Sequence, residues 1–197
     1  MKKSSAVISC LLASLLLAAI PFASPVSVNS LNLYPNLPAP IGKEKILFTS
    51  AGQAPENILL SKIAEDLHLE GDYRPRALAS DLYDYQTLVI AVGSSPYGLQ
   101  NRNRTFTEEL DRTRRLLKEA ELREMPVIIM HVAGDKRNER QNFKLLKTAT
   151  PHADYFLGLK SLGNKSEIID LLDAANVPVT LVEDLEDLLT PFNSVFR

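Results

Sequence analysis

Three loops hold the side chains best suited to bind or transform a ligand. The first, Thr49-Ser50-Ala51-Gly52-Gln53-Ala54-Pro55, combines hydroxyls, a glycine and the start of a helix. Free backbone N–H groups at such a place can hold a carboxylate or phosphate, and the same residues can equally form a simple capped turn. Neither GxxxxGK[ST] nor GxGxxG occurs in the chain, so no nucleotide phosphate loop and no cofactor are predicted. The second loop, Gly93 to Arg104, is long for a compact α/β domain and carries Gly93, Ser94, Ser95, Arg102 and Arg104, a length more often found in functional loops. Its arginines are fork-shaped donors to an anion, joined by Lys136 and Arg137 of the third loop, or else plain solvated charges.

His131 closes the apolar run Val127 to Val132, and Asp135 follows four positions later. At the end of a strand this pair could work as acid or base with a loop serine such as Ser94 as nucleophile, whereas a hydrogen-bonded core histidine is the plainer alternative. Ser94 and Ser95 lack the GxSxG elbow, so a hydrolase rests on their location alone. His68, His131 and His152 fall in different elements without HxH or HExxH spacing; no metal site is predicted.

The elements that must position these loops alternate from Lys45 onward. Ile46 to Thr49, Thr87 to Val92, Val127 to Val132, Ala153 to Leu157 and Val179 to Val182 are short, β-branched or aromatic and bounded by turn residues, as strands buried on both faces should be. Arg74 to Ala79 is a sixth strand candidate. Helical patterns lie between them at Glu56 to Leu69, Phe106 to Arg123, Arg137 to Ala149 and Lys165 to Ala175. Pro55 suits the first turn of the first, Thr105 and Glu108 make a capping box for the second, and Leu110, Leu116, Leu117 and Ala120 form its apolar stripe. The expected fold is a doubly wound, three-layer αβα domain, Rossmann-like or flavodoxin-like, with a mainly parallel sheet of five or six strands. Ligands of such sheets bind beyond the carboxyl ends of the strands where the strand order reverses. With the order 2-1-3-4-5 the Ser50 loop and the Gly93 loop face each other across that switch point. Six of the eight glycines follow a predicted strand closely, where a tight turn or a close backbone approach is needed.

The N-terminus sets the compartment. Met1, Lys2 and Lys3 precede an apolar run from Ala6 to Ile20, and Pro21, Ala23 and Ser24 follow it, the layout of an export signal covering residues 1–30. Residues 6–22 are just long enough to remain as an anchor if the signal is not cleaved, which is the only membrane contact expected. Residues 31–44, with Pro35, Pro38 and Pro40, read as a proline-rich linker or strap, whose Leu31, Leu33, Tyr34, Leu37 and Ile41 favour partial docking. Residues 45–197 form a single domain. The only cysteine, Cys10, lies within the signal, so the mature chain has no thiol chemistry and no disulfide. Removing Lys2 and Lys3 leaves 20 basic against 24 acidic residues, a poor match for nucleic acid. The sequons at Asn103 and Asn164 are incidental beside a signal of bacterial type.

Leu47 to Gln53, Leu88 to Ser94 with Gly98-Leu99, Pro126 to His131 with Gly134 and Arg137, and Ala153-Asp154-Tyr155 together resemble a family of exported bacterial proteins whose domain has no assigned function. The resemblance spans Lys45 to Glu183, implies a Rossmann-like domain and brings no established catalytic residue. Its relatives tend to carry a second glycine in the loop after the histidine strand, where this chain has Ala133. The expected function is capture of a small polar or anionic ligand outside the cytoplasm by Ser50, Gly52, Gln53, Gly93, Ser94, Ser95, Arg102, Arg104 and Arg137. The alternative is a hydrolase or transferase using His131, Asp135 and Ser94.

Overall fold

Apolar runs too short for helices and flanked by turns build the centre of the molecule. In the computed structural model, which describes residues 33–55, 58–101, 103–132 and 139–197, six strands form one sheet: β1 (Ile46–Ala51), β2 (Gly71–Tyr73), β3 (Thr87–Val92), β4 (Val127–His131), β5 (Tyr155–Leu159) and β6 (Val179–Val182). Their order is β2-β1-β3-β4-β5-β6, and every neighbouring pair is parallel. The helices are α1 (Ile58–Asp66), α2 (Pro96–Gln100), α3 (Phe106–Leu122), α4 (Glu139–Ala149), α5 (Lys165–Ala174) and α6 (Leu189–Asn193), with short 3-10 turns at Ala79–Asp84, Thr150–His152 and Glu186–Leu188. This is the three-layer Rossmann-like arrangement expected.

Strand alternation divides the core in two. Leu47, Leu88, Ile90, Val127, Ile129 and Phe156 point to one face and pack against Leu116 and Leu117 of α3, Leu145 and Leu146 of α4, and Ile168 and Leu172 of α5. Ile46, Phe48, Val89, Ala91, Ile128, Met130, Tyr155 and Leu157 point to the other face, against Leu60 and Ala64 of α1, Phe192 of α6 and Val195. The chain winds β1-α1-β2 over this second face, then returns and winds β3 to β6 over the first. Right-handed crossovers running in opposite directions must use opposite faces, and the reversal falls between β1 and β3.

Two expectations need correction. Arg74 to Ala79 is not a strand; the β2 pairing runs over Gly71–Tyr73 instead. Arg74 N–H still donates to Phe48 O at 2.8 Å, but Pro75 has no donor to continue the ladder. The stretch Gly93 to Arg104 is likewise not an open loop. Ser95 caps α2, its hydroxyl accepting Gly98 N–H at 3.0 Å, and Pro96 occupies the first turn, where a missing N–H costs nothing.

The proline-rich strap docks along β6 and the C-terminal segment. Leu33 bridges Val179, Tyr34 N–H donates to Val179 O at 2.8 Å, and the Thr180 hydroxyl donates to Tyr34 O at 2.7 Å. Leu37 is buried, with its N–H on Ser194 Oγ at 3.0 Å. Residues 1–32, which carry the export-signal reading, lie outside the described residues. Among the described residues no helix is long and apolar enough to cross a membrane.

Candidate functional site

The β1 and β3 loops are stitched together at the switch point. Gly93 N–H donates to Ala51 O at 2.9 Å, Ala54 N–H to Gly93 O at 2.9 Å and Ser95 N–H to Gly52 O at 2.8 Å, and Gln53 bridges Ser94 in antiparallel fashion. Such closeness leaves no room for side chains. A Cβ on Gly52, whose φ is +100°, would sit 2.4 Å from Gly93 O, and one on Gly98 would sit 2.3 Å from Gln53 O. Glycine is required at both positions. Gln53 itself is held at φ 60°, a left-handed conformation that carries a cost outside glycine.

The backbone N–H groups of the first loop are not waiting for a ligand. Gln53 N–H donates to Ser50 Oγ at 2.9 Å, and Gly52 N–H donates to Glu109 Oε1 at 3.1 Å. The carboxylate held by this loop is therefore the protein's own. Glu109 is fully buried, and Arg112 beside it is 4% exposed. Arg112 Nη2 donates to Glu109 Oε1 at 2.7 Å and Nε to Oε2 at 3.0 Å, a bidentate pair. Arg112 Nη1 also donates to Ala77 O at 2.7 Å, and Nη2 to Ser50 O. Burial alone would raise the Glu109 carboxyl, but the hydrogen bonds and charge of Arg112, with Gln53 and Gly52 adding to them, hold it below the ordinary carboxylate range. This pair escaped the sequence reading. Its signal lay in the helix period, because Glu109, Arg112 and Thr113 extend the buried stripe of Leu116, Leu117 and Ala120 backward by two turns.

Gln53 joins this network to the lining of a cleft. Its side-chain nitrogen donates to Glu109 Oε1 at 2.9 Å and to Pro75 O at 2.7 Å. Both partners only accept, so the amide orientation is forced. That leaves Oε1 buried, without a hydrogen-bond partner among the described residues, although Gln53 is only 6% exposed. Gln53 lines a cleft of about 640 Å³ together with Ser50, Ser95, Gly98, Tyr73, Tyr97, Asn101 and Arg76. The cleft lies beyond the carboxyl ends of β1 and β3, at the reversal of strand order, where ligands of this architecture bind.

A domain of unknown function, DUF6305, matches residues 43–196. The chain belongs to this family. No curated protein and no solved structure matches it. The site of this DUF6305 domain therefore has to be read from its own geometry.

Of the residues singled out in the sequence, Ser50, Gln53 and Ser95 meet in the cleft, while Gly52 and Gly93 do not line it but stitch the two loops together. Arg104 lies beside this group, its Nη1 3.9 Å from Glu109 Oε2, and lines an adjoining cavity. Ser94 turns toward α4, where its N–H donates to Asn142 Oδ1 at 2.6 Å and its hydroxyl to Gln141 Oε1. His131 does not join Ser50. Ser50, Ala91 and Met130 stand in one row across the sheet, so His131, one residue further on, projects from the opposite face. It is 3% exposed, and its Nδ1 lies 2.8 Å from Val92 O. A carbonyl only accepts, so Nδ1 carries the proton. Burial pushes the imidazole below its ordinary value, against the opposing effect of the Val92 bond. The cavity at His131, lined by Glu139, Asn142 and Phe143, has about 10 Å³, room for about one water. Arg102, Asp135, Lys136 and Arg137 lie outside the described residues. Among the described residues no cluster of three or more histidines, cysteines or carboxylates could hold a metal ion.

Proposed function

We propose that the DUF6305 domain is a binding module that takes a small polar or anionic ligand in the Ser50–Gln53–Ser95 cleft. Gln53 carries the reading. Its Oε1 is a buried acceptor with no partner among the described residues, and leaving such an atom unmet costs about 1–3 kcal/mol. A ligand that donates an O–H or N–H to it recovers that cost. The left-handed Gln53 backbone fits the same reading, since strain of this kind collects at ligand sites. The export signal read from residues 1–30 sets the binding outside the cytoplasm. A hydrolase using His131 draws less support, because a cavity of about 10 Å³ admits no substrate group.

The test is a thermal-shift survey of the purified chain with sugars, polyols, amino acids and small carboxylates and phosphates. A compound present at 100 times its Kd stabilises by about 2.7 kcal/mol, a rise of roughly 5 to 11 °C for a domain of this size. Tyr97 is 73% exposed on the cleft rim, so Tyr97→Ala should keep the fold and weaken the response. Silence from every compound, or a response untouched by Tyr97→Ala, would overturn the reading.

A further inference from the structure

A second cavity of about 630 Å³ adjoins the cleft, lined by Arg76, Arg104, Arg112 and Arg115 with Ser80 and Asn103. Arg76 lines both spaces, so the two lie on either side of its side chain. Most other charges here are already matched. Arg112 neutralises Glu109, and of the two carboxylates in the lining Asp111 pairs with Arg114 at 2.8 Å, while Glu108 is held at the Thr105 end, accepting its N–H and hydroxyl. Arg76 and Arg115 have no carboxylate partner among the described residues, whereas Arg104 lies 3.9 Å from Glu109 and its charge also acts on Glu108. Two guanidinium groups, those of Arg76 and Arg115, therefore line this cavity without a carboxylate partner among the described residues, in a chain that is net acidic.

The Gln53 end has the opposite character. It holds the buried, unpartnered Gln53 Oε1 beside a neutral Glu109–Arg112 pair, and the nearby backbone N–H groups of Gly52, Gln53 and Ala54 are all engaged. An anionic group placed there would meet an acceptor rather than a donor. An ammonium would lose its hydration with no counter-charge in return. A neutral hydroxyl suits that end, and a carboxylate or phosphate suits the arginines.

We infer that the ligand is a hydroxyl-bearing organic anion, its hydroxyl donating to Gln53 and its carboxylate or phosphate held by Arg76 and Arg115 in the adjoining cavity. This rests on the binding reading above and names the ligand's chemical class. A carboxylate cannot meet both requirements alone, because once ionised it has no proton to donate to Gln53; a hydrogen phosphate keeps an O–H, which is why inorganic phosphate stands among the probes.

Isothermal titration of the full chain with gluconate and glycerol 3-phosphate, and with glycerol, glucose and inorganic phosphate for the separate halves, tests the inference. The hydroxyl-bearing anions should bind at least tenfold more tightly than glycerol, glucose or phosphate. Arg76→Gln and Arg115→Gln should each weaken them about tenfold or more, while Arg140→Gln, on the exposed side of α4, should leave binding unchanged. Both cavity arginines are surface residues, so melting curves of the variants should match the parent and separate lost binding from lost folding. Glycerol or glucose binding as tightly as the anions, with both arginine variants unaffected, would overturn this inference and leave the binding reading standing. Tighter binding of amino acids than of hydroxy acids would also overturn it, in favour of an ammonium at Gln53. Absence of binding by every probe would overturn both.

Discussion

Replacing Glu109 with glutamine keeps the shape of the side chain and removes its charge, which tests whether the buried pair organises the switch point. In the parent, Oε1 accepts from Gly52, Gln53 and Arg112, and Oε2 accepts from Arg112. Whichever way the new amide turns, its NH₂ faces a donor, and Arg112, 4% exposed, loses its counter-charge. Breaking a buried pair from one side costs about 3–5 kcal/mol, a fall in Tm of roughly 6 to 20 °C for a domain of this length. The effect should depend on pH in a defined sense. The folded carboxyl lies below its ordinary value, so its contribution is fully present above an unfolded pKa of about 4.3 and is lost as pH falls through the folded value. The gap between parent and Glu109→Gln should thus narrow in acid. Urea unfolding followed by circular dichroism from pH 7 down to about pH 2.5 measures both terms. Asp111→Asn, which removes an exposed pair from another side of the same helix, is the control and should cost no more than about 1 kcal/mol. A loss below about 1 kcal/mol for Glu109→Gln at pH 7, or a gap that does not narrow in acid, would refute the account of the pair.

Two further outcomes follow from the same geometry. Because burial holds His131 neutral in the fold, its contribution is complete above the unfolded pKa of about 6.5 and is lost as pH drops toward the folded value. Parent Tm should fall between pH 7 and pH 5, and His131→Asn, whose amide can still donate toward Val92 O, should flatten that slope; Glu139, which lines the same small cavity, is the group to substitute next if the slope persists. Gly98→Ala should destabilise by about 1–3 kcal/mol through overpacking, since its Cβ would meet Gln53 O at 2.3 Å, and it should also abolish any ligand response in the cleft; unaltered melting would mean that the two loops can separate.

The strands and most helices were legible because burial on both faces writes a continuous apolar run, and Val89–Ala91 or Ile128–Met130 has no other reading. The capping box at Thr105 and Glu108 was legible for a similar reason: it is local, and Thr105 N–H donates to Glu108 at 2.7 Å as its spacing requires. What escaped depended on distance in sequence or on exact phase. The short β2 is fixed by pairing with Ile46–Phe48, not by its own residues Gly71-Asp72-Tyr73, and Pro75 pushed it earlier than its apolar neighbours suggested. Ser50 and His131 both sit near carboxyl ends of strands, but only the register of three strands reveals that they leave the sheet on opposite sides. Glu109 and Arg112 were hidden by their charge, which argues for solvent until the helix period sets them on the buried stripe. The cleft's central glutamine was among the expected residues, whereas the carboxylate beneath it was not.

The docked strap has a consequence for how copies of this chain can meet. A sheet with an open flank can recruit a neighbour's backbone, rung by rung, into a continuous ladder. Here Leu33 and Tyr34 already occupy the outer side of Val179 and Thr180, and the opposite flank, β2, is only three residues long. Strand recruitment is thereby discouraged on both flanks, which works against fibril-like growth through the sheet edges.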